Sequence, residues 1–328
     1  GYASLMRILA SNKDSFKKHK PDKTGALQPG LEGYGDTHTL MVKVPQMIPT
    51  CEHIVDATYL NDREDSSYRK ILFNNGIFNG ITGMFFPAKS YGFTPEIVFH
   101  NKVYQEYKEA TARDLKYIDD IKTRFFINVF GEEVGNYFLQ MVSRALFGDG
   151  LKCAIACCLH GEPNTGKTTM VNILSKIFTE MRASFDSAQL SRVPKNRRNP
   201  DAAQANRWLL GKHRARFLLS SEIDPTDEIC GKKICQIASG GDVLEGRQHC
   251  KSEVNFKLHG IPFIFCNDPG KIVPFGDEQR KRIRFIKYKK KFVNKPLSEC
   301  GLFEIPMING DVLHREINSL EFVKCFTL

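Results

Sequence analysis

The sequence predicts an α/β protein: a central parallel sheet covered by helices, preceded by a smaller mixed or helical domain. Three observations carry that expectation. Residues Gly161-Glu162-Pro163-Asn164-Thr165-Gly166-Lys167-Thr168-Thr169 fit the pattern G-x-x-x-x-G-K-[ST] and stand between a strand-like and a helix-like stretch. Further apolar runs follow, and two of them close on a polar residue, Glu222 or Asn267. The segments between these runs are helical or mixed, as the crossovers of a parallel sheet must be. In such a sheet a ligand sits at the carboxyl ends of the strands, so the closing polar residues are expected to converge there.

Taken in chain order, residues 1–40 open with a short helical start (Leu5, Met6, Ile8, Leu9) and continue as a loop-rich lead-in with little core. From Thr39 to Pro95, Asn75-Gly76 and Asn79-Gly80 separate the apolar runs Ile71-Leu72-Phe73 and Gly83-Met84-Phe85-Phe86-Pro87, which favours hairpins. Tyr117, Ile118, Ile121, Phe125, Phe126, Val129 and Phe130 then recur at helical spacing. A second helix spans Val134 to Leu146, with Phe138, Met141, Val142 and Ala145 on its stripe. Both stripes are expected in the core, not against a cofactor. Cys153 to Leu159 predicts a strand buried on both faces, and Met170, Ile173, Leu174 and Ile177 mark one face of the helix after the glycine-rich loop. Arg216–Glu222, Ile261–Asn267 and Arg282–Tyr288 each predict one strand, the last alternating like an exposed one. No internal repeat or low-complexity tract occurs.

Composition bounds the function classes. A chain of 328 residues can bury a sizeable core and hold about two domains. Its net charge of +10, from 47 Lys plus Arg against 37 Asp plus Glu, biases the surface toward polyanions. No apolar run approaches the roughly 20 residues that span a bilayer, and no signal peptide is present at Gly1, so a soluble, non-secreted protein without a membrane partner is expected. The start at Gly1, with no initiation feature, suits a piece cut from a longer polypeptide. Of ten cysteines, Cys153, Cys157, Cys158 and Cys266 lie in apolar runs and are expected reduced; Cys230, Cys235, His249 and Cys250 match no standard zinc spacing.

The chemistry follows from the loop. Gly161 and Gly166 permit torsions that a side chain would block, and the loop amides then point at phosphate oxygens from the positive end of the following helix. Lys167 would reach the β- and γ-phosphates of ATP and Thr168 would place its hydroxyl on Mg²⁺. Hydrolysis also needs an orienting group for water and added positive charge in the transition state. Glu222 suits the water or the metal shell, with Ser221 where an Asp often stands; Asn267 suits the γ-phosphate or the attacking water. Between them, Arg247, His249 and Lys251 alternate as on one face of a hairpin arm, with Lys232 and Lys233 nearby. Such a row gives salt-dependent, sequence-tolerant contacts to a single nucleic-acid strand. The basic runs Arg192–Arg198 and Arg280–Lys291 could line a channel or a subunit seam.

The order of P-loop, Glu222, Ser239-Gly240-Gly241-Asp242-x4-Arg247-x3-Lys251, Asn267 and the Arg280–Arg284 cluster resembles superfamily 3 helicases, most closely the poxvirus-type primase-helicase NTPase group of large cytoplasmic DNA viruses and some phages. Asn74-Asn75-Gly76-Ile77-Phe78 with Thr82-Gly83 is similar to that group's domain upstream of the ATPase. The resemblance covers about residues 70–292. It implies an AAA+-like P-loop ATPase core at 149–292, a collar-like accessory domain at 41–148, a lead-in at 1–40 and a C-terminal segment at 293–328. It further implies an ATP-dependent DNA helicase motor for viral genome replication, using ATP and Mg²⁺ in the host cytoplasm. Its partners would be single-stranded or forked DNA and further copies of the chain in a ring, usually a hexamer, with room for a primase domain in the full-length chain. Carried over by residue, Lys167 and Thr168 match the P-loop, Glu222 the second motif and Asn267 the sensor. Arg282 matches an arginine finger that reaches a neighbouring subunit's nucleotide, with Arg280 and Arg284 as fallbacks, and Arg247–Lys251 matches a hairpin gripping one strand in the channel. Ser221 departs from the acidic residue usual before Glu222. Two other readings stay open: an ATP-gated DNA-binding or assembly module with weak turnover, and a P-loop kinase, for which no acceptor-site signature is visible.

Overall fold

The computed structural model describes residues 17–21, 27–33, 62–88, 97–192, 205–220, 222–223, 228–247 and 252–328. The chain divides into two units, residues 1–62 and 63–328. Within the first, β1 (Lys17–Pro21) pairs antiparallel with β2 (Leu27–Gly33), where the sequence suggested only a loop-rich lead-in. The helical start expected at Leu5–Leu9 lies outside the described residues.

The second unit opens with an antiparallel meander, β3 (Lys70–Phe73), β4 (Gly76–Asn79) and β5 (Met84–Pro87). The hairpins fall where the sequence places them, but the first turn is Asn74-Asn75, and Gly76 already pairs with Phe73 inside β4. Its glycine answers a packing need: a Cβ there would lie 2.2 Å from the Phe86 carbonyl oxygen of the neighbouring strand. Helix α1 (Ala112–Lys122) starts on a capping box, with Thr111 Oγ1 accepting from the Asp114 amide at 3.3 Å and the Asp114 carboxylate accepting from the Thr111 amide at 2.8 Å. It runs into a π-turn at Thr123–Ile127 and a last turn at Asn128–Phe130, which Gly131 ends with a φ of 85°. Helix α2 (Glu132–Leu146) follows.

Strand β6 (Ala156–His160) begins later than its apolar run, because the Cys153 amide still closes a turn onto the Asp149 carbonyl at 2.7 Å. After it come α3 (Lys167–Ile177), β7 (Arg182–Phe185), β8 (Phe217–Ser220), β9 (Glu228–Cys230), α4 (Gly231–Ile237), and the hairpin β10 (Leu244–Arg247) with β11 (Glu253–Phe256). The chain continues through β12 (Ile261–Cys266), β13 (Lys271–Val273), α5 (Asp277–Arg282), β14 (Ile283–Lys287), β15 (Lys291–Val293), β16 (Glu304–Pro306), α6 (Gly310–Ile317) and α7 (Leu320–Thr327). Arg282 therefore ends a helix, and the exposed strand expected from residue 282 starts one residue later, at the sheet's edge.

Strands β14-β6-β12-β8-β7 form one all-parallel sheet in that order. Alternate residues feed two cores, one on each face: Cys157, Leu159, Phe217 and Phe263 pack toward α2 and α3, while Ala156, Cys158, Leu218 and Ile264 pack toward α4 and the β10–β11 hairpin. One of these cores crosses residue 148, since Phe138 of α2 meets Phe263 of the sheet edge-on at 6.1 Å. Helix α7 joins it with Phe322, which is fully buried, and Lys324 pairs with Asp114 at 2.6 Å. Among the described residues no helix is long and apolar enough to cross a membrane.

A buried arginine fixes where β8 begins. Arg216, 5% exposed, donates to the carbonyls of Leu146, Ser67 (3.3 Å) and Lys70 (2.8 Å), and burial pushes its pKa down to about 10. The guanidinium thus ties the meander and the end of α2 to the strand that leads to Glu222. Arg216→Met would leave three buried carbonyls short of a donor and is expected to cost about 3 kcal/mol. A denaturant midpoint equal to that of the wild type would contradict this.

Candidate functional site: a phosphate-loop cavity

The loop between β6 and α3 has the backbone that the motif demands. Asn164 and Gly166 hold left-handed conformations, with φ of 63° and 89°, and Asn tolerates that region better than most side chains. Packing constrains both motif glycines as well: a Cβ on Gly161 would lie 2.8 Å from the Tyr288 Cβ, and one on Gly166 would lie 3.0 Å from the Phe292 ring. The stretch after β14 clamps the loop from outside, Tyr288 donating its amide to the His160 carbonyl and Phe292 to that of Asn164, both at 2.8 Å. Lys167 folds into the loop and donates to the carbonyls of Gly161 (2.6 Å) and Glu162 (2.7 Å) and to Thr165 Oγ1 (3.3 Å). Burial lowers its pKa, opposed by the Glu222 carboxylate. The ammonium thus occupies a ring of three loop oxygens.

Because β8 and β12 are parallel neighbours, the residues just beyond their carboxyl ends meet. Asn267 follows Cys266 directly and donates its side-chain amide to Glu222 Oε1. The Glu222 carbonyl accepts from Ser187 Oγ at 2.7 Å, which anchors the backbone there. Both side chains face Lys167, Thr168 and Thr169 across a cavity of about 520 Å³. The phosphate loop from Pro163 to Thr169 lines it, whereas Gly161 and Glu162 act from behind through their carbonyls. Ser221 lies outside the described residues.

The rest of the wall was not legible in the sequence. Tyr288, Phe292, Met307, Ile308, Gly310 and Leu313 line it from the carboxyl-terminal side, and Arg124, Phe125 and Val129 from the π-turn region. Phe125 and Val129 are core residues, as their spacing predicts, but they also face the cavity. The segment from residue 293 carried no motif; only its pairing, β15 beside β16, brings Met307 and Ile308 to the site. Thr168 brings a hydroxyl and Glu222 a carboxylate to the cavity wall, donors of the kind a magnesium ion takes. Among the described residues no group of three or more His, Cys, Asp or Glu could hold a metal alone, so such an ion would draw its remaining ligands from phosphates and water.

Arg282 does not line this cavity. Its Nη1 donates to the carbonyls of Cys235 (2.9 Å) and Ala238 (3.2 Å) at the end of α4, and its side chain is 26% exposed. Arg280 is 67% exposed, 3.7 Å from Asp277 and over the Phe275 ring, while Arg284 bonds to the carbonyls of Arg280 and Ile283. Of the basic residues assigned to nucleic acid, Arg247 sits at the end of β10, 3.3 Å from Glu253; Lys232 is exposed on α4; Lys233 is held by the carbonyls of Gln189 (2.8 Å) and Ser191 (3.0 Å). His249, Lys251, Cys250 and residues 193–204 lie outside the described residues. Gly240 and Gly241 lead into the hairpin with φ of 66° and 96°, and a Cβ on Gly241 would lie 2.5 Å from the Leu151 carbonyl oxygen. The hairpin's approach is thereby seated on the residues that precede β6.

No protein-family model matches the chain. It is 28% identical over 242 residues to the Sputnik virophage protein named Putative helicase V13, an alignment that covers 73% of this chain and 29% of that protein. The chain thus spans less than a third of the length of this curated relative. Among solved structures it is similar to the apo C-terminal region of NrS-1, at 17% identity and a TM-score of 0.44 over 67% of this chain and 46% of that one. A second apo form, of NrS-1 residues 305–718, gives 18% identity and a TM-score of 0.41 over 67% and 45%.

Proposed function

We propose that the chain is the motor of a viral DNA helicase of the superfamily 3 kind, hydrolysing ATP in the cavity beside Lys167 and translocating on single-stranded DNA at a replication fork in the host cytoplasm. One observation carries this reading: a phosphate loop with its lysine, a carboxylate and an amide from two adjacent strand ends meet in one cavity large enough for a nucleotide. The Sputnik virophage protein's name supports the choice of a helicase among P-loop enzymes.

In this reading Lys167 and the loop amides bind the β- and γ-phosphates, Glu222 orients water, and Asn267 joins the γ-phosphate to Glu222 through its existing hydrogen bond. Mg²⁺, held by Thr168 and the shell of Glu222, would neutralise phosphate charge. Among the described residues, Lys167 is the cation that the glycine-rich loop itself brings to the cavity, and this reading has a further one supplied in trans. Arg282 suits that role because the Cys235 and Ala238 carbonyls preorganise its Nη1 while part of the guanidinium stays exposed. A finger acting in trans requires a closed assembly, and a hexameric ring is proposed. The same Ala238 carbonyl opens the glycine turn into the β10–β11 hairpin, so nucleotide state and hairpin position share one physical link.

The test is phosphate release with and without single-stranded DNA, strand displacement on a forked duplex, and particle mass with ATP and DNA. DNA-stimulated hydrolysis by a hexamer that unwinds the fork is expected; turnover without displacement would favour the ATP-gated binding module, and phosphoryl transfer to a small acceptor would favour a kinase. Arg247→Ala at the end of β10, combined with Lys251→Ala, is expected to lower DNA stimulation about tenfold and leave basal hydrolysis near wild type. Equal loss of both rates would move the hairpin out of the DNA path.

A further inference from the structure

The phosphate end of the cavity has its polar groups; the nucleoside end has almost none. Phe292, Met307, Ile308 and Leu313 are apolar, and among the described residues the buried Tyr288 hydroxyl has no hydrogen-bond partner. The charged side chain of that wall is Arg124, on the π-turn Thr123–Ile127 that interrupts the helix after α1. The Asn128 amide bonds to the Thr123 carbonyl, a turn one residue wider than an α-helical one, and Arg124 and Phe125 lie within it. Nε and Nη2 of Arg124 both lie 2.8 Å from Asp120 Oδ2, and Nη1 donates to Glu316 Oε2 at 3.1 Å, while Nη2 also donates to Glu316 Oε1. A guanidinium has five N–H groups, so one on Nη1 stays uncommitted. Glu316 has a second partner: it sits on α6, whose first residue, Gly310, and Leu313 themselves line the cavity, and its Oε1 also accepts from the Tyr117 hydroxyl at 2.8 Å.

We propose that Arg124 binds the nucleoside part of the nucleotide, exchanging part of its hold on Glu316 for the ligand and so linking occupancy of the cavity to the carboxyl-terminal helices. This rests on the nucleotide reading of the cavity. If Arg124 meets the nucleoside, its contribution is larger for ATP than for a ligand that consists of phosphates alone. ATP and inorganic tripolyphosphate, each with Mg²⁺, therefore separate its contribution from that of Lys167.

The experiment is calorimetric titration of both ligands into the wild type, Arg124→Ala, Arg124→Lys and Glu316→Gln. Arg124→Ala is expected to weaken ATP about tenfold, the loss of one charge-assisted hydrogen bond, and to leave tripolyphosphate within about twofold. Arg124→Lys keeps a charge beside Asp120 and Glu316, guards against a folding defect, and should fall between. Glu316→Gln frees the guanidinium and should bind ATP as tightly as the wild type or more so. If Glu316→Gln weakens ATP as much as Arg124→Ala does, the pair is only a structural brace and the proposal is overturned. It is equally overturned if Arg124→Ala binds ATP like the wild type, or if both ligands weaken together. Should the wild type bind neither ligand, the nucleotide reading itself fails and this inference falls with it.

Discussion

Lys167→Ala is expected to lower ATP hydrolysis by at least about 10²- to 10³-fold while the protein keeps its fold. The ammonium sits within hydrogen-bond distance of two loop carbonyls and one hydroxyl, all in the loop itself, so its loss leaves both hydrophobic cores intact. What disappears is a preorganised cation in a partly dehydrated site, where removing a single stabilising donor costs that much rate. Burial already lowers the lysine's pKa, opposed by the Glu222 carboxylate, so its charge is held against desolvation. The check is steady-state phosphate release together with a thermal melt. Wild-type turnover in the variant would remove the phosphate loop from the chemistry.

Arg282→Ala is expected to bind ATP normally and to lose about 10³-fold in turnover, the lower end of what an arginine finger contributes. Arg282→Lys should not rescue it, because a single ammonium cannot hold the Cys235 and Ala238 carbonyls and also reach a phosphate. Arg280→Ala, which removes a more exposed and weakly paired side chain, should cost less than about tenfold. Mixing Arg282→Ala with Glu222→Gln subunits should restore part of the activity, since some interfaces then combine an intact finger with an intact carboxylate. Mixed assemblies that form and stay inactive would show that the arginine acts within its own chain or not at all. Arg280→Ala matching Arg282→Ala in cost would put the whole end of α5, and not one preorganised guanidinium, at the nucleotide.

Local pattern sufficed for much of the fold and for the phosphate end of the site. Apolar runs located four of the five strands of the parallel sheet, because β6, β8 and β12 are covered on both faces and continuously apolar and β14 alternates at the edge; β7, Arg182-Ala183-Ser184-Phe185, carries no such run and was missed. The glycine-rich loop announced its own backbone, since left-handed torsions at Asn164 and Gly166 restrict which residues can stand there. Glu222 and Asn267 were legible as strand ends; their meeting required only that their strands be neighbours. Smaller features escaped for local reasons. The β1–β2 hairpin, KKHKP paired with LQPGLEG, has no apolar alternation, and Gly76 looked like a turn residue although its role is close strand contact.

By itself, then, the sequence determined four of the sheet's five strands, the glycine-rich loop and the polar residues that close β8 and β12, all of which follow from interactions between residues near in the chain or from period-two and period-3.6 patterning. Tertiary structure alone decided the other half of the cavity. Arg124 is 192 residues from Glu316 and looks like one more polar position on an amphipathic helix, and Met307 and Leu313 look like ordinary surface or core positions. Their placement depends on a π-turn and on strand β15 clamping the loop, and no spacing rule encodes a contact between segments so far apart. Arg282's engagement with the end of α4 is of the same kind: the residue type was visible, but the carbonyls that orient it were brought there by the packing of α5 against α4.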